Sequence, residues 1–360
     1  MSRPASQLDP AAARRVLIVR PSALGDVSRT VPVLASLRRA LPAAHIDWLV
    51  ADACADAVRH HPMLDGVVRF NRGELSGFGL RPRATRAGLG LAKTLRRAAY
   101  DVVYDLQGLA RSGLFTWLTR APRRVGFAGA RELGWLGYNV RHRAQQPRHT
   151  VDQMLALVAA DGVEPVVDMR LYVGGEDRQW LAEYTRQQGL EEYVCLAPTA
   201  RWGCKCWPIG RYARLAQQLL ETGVAGRQIV LLASPAEREQ VEPLFEALPG
   251  ELRARVHLPR TTVGQMMALI SRARLLVCND SAPLHIGVGF DRPIVAIFGP
   301  TDPAFVGPYQ RLDSVVRPTV SPEHTASYRR HLDDQTLISQ VSFEQVWEKI
   351  EQQLAIRAAG

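Results

Sequence analysis

The sequence predicts an α/β protein made of two Rossmann-like halves that face each other across a cleft. Short apolar runs alternate with amphipathic helical patterns along the chain, which is typical of parallel sheets covered by helices. A chain of 360 residues is also long for a single hydrophobic core. Polar turns directly follow several apolar runs, at the sheet edge where open α/β proteins bind ligands. We therefore expect two domains, residues 1–170 and 171–360.

In the first half, four apolar runs predict strands, and the segments between them predict helices and turns. The strands are expected at residues 16–19, 45–50, 66–70 and 100–106. The first strand leads into a turn and an amphipathic helix that ends near Leu41 and Pro42. This alternation predicts a parallel sheet.

A basic segment separates the third and fourth predicted strands. Residues 69–97 contain eight arginine or lysine residues and one acid, Glu74. Glycines and Pro82 predict that its first part, up to Gly90, is a mobile loop that runs into a helix. The positive charge favours a lip that binds anions, and an ordinary solvated surface is an equally good interpretation.

The second half begins after the expected linker at residues 171–175 and repeats the alternation of strands and helices. Its strands are expected at residues 193–197, 228–232, 255–258, 275–278 and 294–298. The chain ends in an amphipathic helix expected at residues 343–355. Neither a Walker A loop nor a complete Gly-x-Gly-x-x-Gly motif is present, which argues against NTPases and dehydrogenases.

Composition limits the classes of function. The net charge of +10 favours anionic partners such as phosphorylated substrates, acidic sugars or an anionic membrane surface. No zinc-finger, helix-turn-helix or RNA-binding motif is present, so no nucleic-acid partner is expected. No apolar run approaches the ~20 residues of a membrane-spanning helix and no signal peptide is recognisable, so we expect a cytoplasmic protein. The five cysteines are irregularly spaced and predict neither a disulfide framework nor a zinc site.

The turn after the first strand contains the candidate catalytic residue. Gly25 allows a ligand to approach the backbone closely, and Asp26 lies at the start of the first helix. A carboxylate in this position could act as a general base toward a substrate hydroxyl. The alternative is an acid that only satisfies the free N–H groups of the helix start.

Polar residues follow two strands of the second half and are candidate ligands for a nucleotide. Thr199 could hydrogen-bond a phosphate oxygen, and Lys205 supplies a compact positive charge for a diphosphate. Glu237 follows another strand and could accept hydrogen bonds from ribose hydroxyls. An ordinary first-turn helix acid is the other interpretation of Glu237.

The turn after residues 275–278 is the most informative feature of the second half. Asp280 and Ser281 are typical N-cap residues, and Pro283 suits a first helical turn. The free N–H groups of such a helix start favour an anion such as phosphate. His285 lies one turn into this helix and could donate to a phosphate or sugar hydroxyl, or simply pack. No cluster of His and Asp at metal-ligand spacing is present, so the sequence requires no divalent cation.

Together these motifs resemble glycosyltransferase family 9, the lipopolysaccharide heptosyltransferases. Residues 279–285 with 298–303 are similar to the family's donor-site signature. Residues 16–26, residues 105–112 and the Lys-x-Trp-Pro sequence at 205–208 match further segments of the family in the expected order. The resemblance covers nearly the whole chain.

The resemblance implies a GT-B type glycosyltransferase with an inverting, metal-independent mechanism and no cofactor. The first half would bind the acceptor, and the second half an ADP-activated heptose. Asp26 takes the position of the family's proposed base, and Lys205 that of its diphosphate-binding lysine. The expected donor-binding residues are Thr199, Lys205, Glu237, Asp280, Ser281, Ala282 and His285.

The donor turn departs from the family pattern at one point. The family more usually has Asp-Thr-Gly-x-x-His, whereas this chain has Ser281, Ala282 and Pro283 after the aspartate. Ser281 keeps the hydroxyl, and Ala282 replaces a flexible glycine. This difference bears on the identity of the donor sugar more than on the reaction.

The basic segment would hold an acidic acceptor of the Kdo-lipid A type through Arg69, Arg72, Arg83 and Arg86. Its charge would also allow peripheral contact with the anionic inner face of the inner membrane. The alternatives are a family member with another nucleotide sugar or glycan acceptor, a sugar-nucleotide epimerase with the same architecture, and a nucleotide-sugar-binding protein without turnover.

Overall fold

The fold is α/β, as the sequence predicts, and each half is built on one parallel sheet. The computed structural model describes residues 13–77, 79–143, 149–319 and 332–358. The chain divides into two compact units, Met1–Tyr172 and Val173–Gly360, here called unit 1 and unit 2. Every helix in the described part of the chain is too short or too polar to span a lipid bilayer.

Unit 1 contains a six-stranded sheet in the order β3-β2-β1-β4-β5-β6, with all neighbours parallel. This is the doubly wound order of the Rossmann fold. The strands are β1 (Arg15–Val19), β2 (His45–Ala51), β3 (Gly66–Phe70), β4 (Val102–Asp105), β5 (Arg123–Phe127) and β6 (Val140–His142). The helices are α1 (Leu24–Arg29), α2 (Val31–Ala40), α3 (Pro82–Arg97), α4 (Ala110–Leu118) and α5 (Thr150–Ala160).

Unit 2 repeats the same order with its own six strands, β12-β11-β10-β7-β8-β9, again all parallel. The strands are β7 (Tyr193–Ala197), β8 (Gln228–Leu231), β9 (Val256–His257), β10 (Leu275–Asn279), β11 (Ile294–Ile297) and β12 (Val315–Val316). The helices are α6 (Gly175–Gln188), α7 (Ile209–Thr222), α8 (Arg238–Glu246), α9 (Gly250–Arg253), α10 (Val263–Arg272), α11 (Ala282–Gly289), α12 (Pro303–Val306) and α13 (Phe343–Ala358).

The central strands are apolar over most of their length because helices cover both faces of each sheet. Leu17 and Val19 of β1 are fully buried and pack with Phe115 of α4 and Leu95 of α3. In unit 2, Val277 of β10 belongs to a second core with residues of α7 and α13. The burial of these runs accounts for the clear strand signal that they give in the sequence.

The nine strands expected from the sequence are confirmed, with shifts of one or two residues at their ends. Three strands were missed, namely β5, β6 and β12. β5 begins with two arginines and contains Gly126, where a Cβ atom would lie 2.3 Å from the ring of Tyr138. β6 and β12 are edge strands of three and two residues, too short for a periodic pattern.

Two helix predictions were wrong in detail. The first expected helix is split at Thr30, because Pro32 has no N–H to continue the hydrogen-bond ladder from α1. The expected loop in the basic segment ends earlier than Gly90, since α3 begins at Pro82. Packing of Ala84, Ala92 and Leu95 stabilises α3 in spite of its two glycines.

Candidate functional site

The candidate residues collect at the carboxyl edges of the two sheets, beside the strands where the winding direction reverses. In unit 1 these strands are β1 and β4, and in unit 2 they are β7 and β10. Doubly wound sheets bind their ligands at this switch point because the two loops there diverge to opposite faces. Asp26 follows β1, and Asp280 follows β10.

Asp26 is held in unit 1 by two arginines and by the backbone. Its carboxylate forms ion pairs with Arg29 and, at 3.2 Å, with Arg20, and it accepts a hydrogen bond from the N–H of Ala23 at 3.2 Å. The Asp26 side chain remains 28% exposed. It therefore caps the start of α1 and at the same time presents a carboxylate to solvent, so the two interpretations given for it are compatible.

The two arginines are themselves fixed by the fold. Arg20 donates to the carbonyl of Leu106, and Arg29 donates to the Oγ1 of Thr150 at 2.8 Å. Burial lowers the pKa of the Arg20 guanidinium, and the Asp26 charge partly offsets this effect. Sequence reasoning missed both arginines, although the spacing of three residues between Asp26 and Arg29 on a helix is a recognisable signal.

A second turn of unit 1 lies at the same switch point. The fully buried carboxylate of Asp105 accepts hydrogen bonds from the N–H groups of Gln107 and Gly108, at 2.9 and 3.1 Å, and from the hydroxyl of Tyr138 at 2.7 Å. Burial raises the pKa of Asp105, while these donors lower it. The side chain of Gln107 accepts from the N–H of Ser22 at 3.4 Å, which joins this turn to the one that carries Asp26.

The predicted acceptor cations of unit 1 are all exposed and lie on β3, on the turn after it and on α3. Arg83 and Arg86 share α3 at a spacing of three residues, whereas Arg69 is the penultimate residue of β3 and Arg72 lies in the following turn. Arg69 is paired with Asp52 at 2.9 Å. The structure thus brings Arg83 and Arg86 together on one helix, and no contact joins them to Arg69 or Arg72 within the described residues.

In unit 2, Lys205 and Asp280 form an ion pair at 2.6 Å. Lys205 comes from the loop after β7, and Asp280 from the turn after β10. The pair is mostly shielded from solvent, with side-chain exposures of 15% and 7%. The sequence placed both residues at the donor site but gave no sign that they contact each other.

The Lys205 loop is fastened to β10 through Asn279. The Asn279 side chain accepts from the N–H of Trp207 at 3.2 Å and from the hydroxyl of Tyr212 at 3.1 Å, and it donates to the carbonyl of Pro198 at 2.7 Å. Gly299 completes the support, since a Cβ atom there would lie 2.6 Å from the carbonyl oxygen of Cys204. These contacts set the position of Lys205.

The turn at Asp280 leads into α11 as the sequence predicts. Ser281 occupies the N-cap position with extended backbone angles, and Ala282 and Pro283 are the first two helical residues. The Ser281 side chain does not cap the helix but donates to the carbonyl of Asn279 at 3.4 Å. His285 is buried in the first turn, at 5% exposure. Pro283 has no N–H, and the N–H of Leu284 donates to the carbonyl of Ser281 at 3.2 Å, so among the first three helical residues the N–H of Ala282 is the donor that could receive an anion.

Thr199 and Glu237 lie at the same sheet edge, after β7 and β8. Thr199 is buried, and Glu237 is half-buried. One carboxylate oxygen of Glu237 accepts from the N–H of Ser234 at 2.9 Å, as in an ordinary first-turn acid. Its other oxygen has no hydrogen-bond donor among the described residues and can accept one from a ligand hydroxyl.

Thr301 was not among the predicted ligands, although it follows β11 at this edge. It is 7% exposed, and its Oγ1 atom has no hydrogen-bond partner among the described residues. A buried hydroxyl without a partner is uncommon and costs stability. The Gly-Pro-Thr sequence after an apolar run was the signal that could have identified it. As for metal ions, no group of three or more His, Cys, Asp or Glu side chains that could hold one occurs in the part of the chain that the structure describes.

Comparison with known proteins gives one consistent result. The family model "Glycosyltransferase family 9 (heptosyltransferase)" matches residues 89–334. Lipopolysaccharide heptosyltransferase 1 of Pseudomonas aeruginosa is 31% identical to this chain over 318 residues, which cover 82% of each protein. Lipopolysaccharide heptosyltransferase 2 of Escherichia coli is 26% identical over 84% of this chain and 88% of its own length.

Solved structures show the same fold. The glycosyl transferase family 9 protein from Veillonella parvula superposes with a TM-score of 0.79 at 24% identity, over 95% of this chain and 97% of its own. The E. coli heptosyltransferase WaaC with ADP-2-deoxy-2-fluoro heptose gives a TM-score of 0.74 at 25% identity, over 94% of this chain and 99% of its own. Both likenesses extend over nearly the whole length of each protein.

Proposed function

This chain belongs to glycosyltransferase family 9, the heptosyltransferases, and we propose that it moves a heptose from ADP-heptose to an acidic lipopolysaccharide inner-core acceptor. The protein is a glycosyltransferase, so a sugar-nucleotide epimerase or a silent binding protein is not its class. The names of its relatives support heptose as the sugar and lipopolysaccharide as the product. A structure of one relative with an ADP-heptose analogue supports the donor.

Unit 2 would bind the donor at its switch point. Lys205 contacts the diphosphate, and the N–H of Ala282 at the start of α11 receives a further phosphate oxygen. Lys205 has three N–H donors, so it can keep its ion pair with Asp280 while it donates to phosphate. The second oxygen of Asp280 would accept from sugar hydroxyls, and His285 lies beside them in the same turn. Thr199 would contact a phosphate oxygen, and Glu237 the ribose.

Asp26 would act as the general base in an inverting displacement. An acceptor hydroxyl loses its proton to the Asp26 carboxylate as its oxygen bonds to the anomeric carbon. The bond from that carbon to the diphosphate breaks on the opposite face, and ADP leaves with the electron pair. Negative charge develops on the diphosphate, where Lys205 and the helix start stabilise it more in the transition state than before reaction. No step requires a metal ion.

The acceptor would be held by cations of unit 1. Arg83 and Arg86 on α3, together with Arg69 and Arg72, suit the carboxylates and phosphates of a Kdo-lipid A type glycolipid. Such an acceptor lies at the anionic inner face of the inner membrane, so the enzyme is expected to act there as a peripheral protein.

The Lys205–Asp280 ion pair beside the start of α11 carries this proposal, because it places a positive charge and a carboxylate where a nucleotide sugar needs both. The test is a panel of ADP- and UDP-sugars, each scored for the rise in melting temperature and for transfer to a Kdo-lipid A acceptor. We expect ADP-heptose to give the largest rise and to be the sugar that is transferred. Stabilisation and transfer with a UDP-sugar would instead identify another donor within the family.

A further inference from the structure

A groove between α3 and α4 of unit 1 is not used by the proposed mechanism. It has a volume of about 500 Å³ and lies on the surface of the unit. Its apolar lining includes Leu75, Leu89, Leu91, Leu114, Phe115 and Trp117. Nothing in the sequence predicted this apolar surface, because its residues come from two helices and a turn. We call it the α3–α4 groove.

The apolar side chains of the groove extend from the core to solvent. Phe115 is a member of the hydrophobic core of unit 1, and Leu75 and Leu91 pack against that core. Leu89, Leu114 and Trp117 stand above them and are 61%, 47% and 49% exposed. A contiguous exposed patch of this kind marks an interaction surface rather than ordinary surface scatter.

The rim of the groove is entirely basic. Lys93, Arg96 and Arg97 of α3 face it from one side, and Arg111 of α4 from the other. All four are exposed, and no carboxylate of the described residues lies within ion-pair distance of them. The sequence has no acid at all between Glu74 and Asp101, nor between Asp105 and Glu132. Any anion that binds these four cations would therefore come from outside the described part of the chain.

An anionic bilayer meets both requirements of this surface. Phosphate headgroups satisfy the four cations, and the boundary between headgroups and acyl chains accommodates leucine and tryptophan side chains. Tryptophan in particular favours this boundary because its ring is apolar and its N–H is polar. Trp117 is the most exposed of the seven tryptophans in the chain.

We propose that the α3–α4 groove docks unit 1 onto anionic phospholipid, with Leu89, Leu114 and Trp117 inserted at the headgroup level and the four cations on the phosphates. The proposal rests on the proposed function, because an enzyme whose acceptor is anchored in a membrane must reach that membrane surface. It assigns membrane contact to residues other than the acceptor-binding arginines.

The test is cosedimentation of the full chain with phosphatidylcholine vesicles, with and without phosphatidylglycerol. The apolar variant is Leu114→Ser/Trp117→Ser, and its control is Leu312→Ser in unit 2, where the side chain is equally exposed at 50%. The charge variant is Lys93→Ser/Arg96→Ser, and its control is Arg186→Ser/Arg227→Ser on exposed sites of unit 2. Melting temperatures verify that each variant is folded.

We expect the charge variant to bind the anionic vesicles at least tenfold more weakly, since each cation near such a surface contributes about fivefold. The apolar variant should lose at least as much, because it removes two apolar side chains that would be buried at the headgroup level. The two controls should bind like the wild type. A second measurement uses brominated lipids, which should quench tryptophan emission in the wild type and much less in Trp117→Phe. Equal binding by groove variants and controls, or unchanged quenching in Trp117→Phe, would overturn the docking proposal.

Transfer to an acceptor dispersed in detergent separates this proposal from the proposed function. The groove variants should retain wild-type turnover in detergent, because they leave the catalytic residues unchanged. If the wild type shows no transfer in detergent with any donor while its vesicle binding still depends on the groove, the function fails and the docking stands. If the wild type shows normal transfer while the groove variants bind vesicles as the wild type does, the docking proposal fails and the proposed function stands.

Discussion

At the scale of single residues, both candidate sites consist of charge pairs rather than isolated ligands. Asp26 is paired with Arg20 and Arg29, and Lys205 with Asp280. Such pairs hold a functional side chain in one rotamer, which a catalytic or binding group needs. They also mean that removing one member affects folding and function together, so variants must be read against matched controls.

For the base, we predict that Asp26→Asn lowers transfer by about 10²- to 10⁴-fold, because an amide cannot accept the acceptor proton. Affinity for the nucleotide sugar should hardly change, and calorimetric titration measures it directly. Asp56→Asn is the matched control, since Asp56 forms the same kind of ion pair with Arg59, three residues along the chain, and is 22% exposed. A similar loss in Asp56→Asn, or a lost donor affinity in Asp26→Asn, would assign Asp26 a structural or donor-binding role.

For the donor lysine, we predict non-additive effects on stability and a persistent loss of activity. Lys205→Met leaves the shielded carboxylate of Asp280 unpaired and should lower the free energy of unfolding by on the order of 3 kcal/mol. The double variant Lys205→Met/Asp280→Asn should recover most of that stability and still fail to transfer. Lys349→Met on α13 serves as the control and should change neither quantity. Recovery of transfer in the double variant would exclude Lys205 as a diphosphate ligand.

His61 predicts a pH dependence of stability. It is 3% exposed beside Tyr172, and burial lowers its pKa from the ordinary 6.5 to about 4, against the opposing effect of Asp168. The unfolded chain therefore binds a proton below pH 6.5 that the folded chain does not bind until about pH 4. The free energy of unfolding should fall through this window as the pH decreases, by about 3 kcal/mol.

Denaturant unfolding at several pH values measures this slope. His61→Asn keeps an acceptor for the N–H of Met63 and removes the titration, so its slope should be smaller. His60→Asn, at the exposed neighbouring position, should keep the slope of the wild type. Identical slopes in His61→Asn and the wild type would place the pH dependence elsewhere.

At the scale of elements, the donor site depends on how loops are fixed to strands. Within the Lys205 loop, the N–H groups of Lys205 and Cys206 donate to the carbonyls of Trp202 and Gly203. The loop is fixed to the sheet by Asn279 of β10 and by its close approach to Gly299 after β11. The three adjacent strands β7, β10 and β11 thus determine the position of the Lys205 ammonium group. Rigid strands beneath a short loop allow a site to be more precise than the loop alone could make it.

Gly299→Ala tests this support. Its Cβ would press on the carbonyl of Cys204, which is backbone and cannot rotate away, so the loop must move. We expect a loss of about 1–3 kcal/mol in stability and weaker binding of the nucleotide sugar. In Gly210→Ala the new Cβ meets open space within α7, so this control should be neutral or slightly stabilising. Thermal unfolding with and without donor measures both effects, and equal donor binding in the two variants would remove Gly299 from the site.

At the scale of the whole molecule, charge is distributed unevenly along the chain. The stretch from Glu74 to Asp101 has six basic residues and no acid between its ends, within a protein of net charge +10. This cluster of positive charge attracts anionic ligands, and salt shortens the distance over which the attraction acts. The acceptor and the membrane are both anionic in the proposed function, so both interactions should respond to ionic strength.

We predict that Arg83→Glu/Arg86→Glu raises the KM for the glycolipid acceptor and reduces its dependence on salt. Both changes follow from the loss of positive charge on α3. The KM for the donor should stay the same, because unit 2 is untouched. Arg186→Glu/Arg227→Glu makes the same change in net charge on exposed sites of unit 2 and should leave acceptor kinetics as in the wild type. Acceptor kinetics that are unaltered across salt concentrations would refute an acceptor role for these two arginines.

The α/β class, nine of the strands and the residues that follow the strand ends could be predicted from the sequence alone. These features are local, because a buried parallel strand is mostly apolar and a turn onto a helix has its own residue preferences. Asp26, Lys205 and Asp280 could be singled out for this reason. The edge strands β6 and β12 could not, since they are too short to carry a pattern.

Which of these residues contact each other depends on the tertiary structure and could not be predicted. The contact of Lys205 with Asp280, 75 residues apart, and that of Arg20 with Leu106, 86 residues apart, come from the strand order and not from any spacing in the chain. The same holds for the α3–α4 groove, whose leucines and tryptophan are unremarkable in sequence and form one surface because two helices pack side by side. Local residue preferences determine where helices and strands form, and the order of the strands determines which side chains meet at the strand ends.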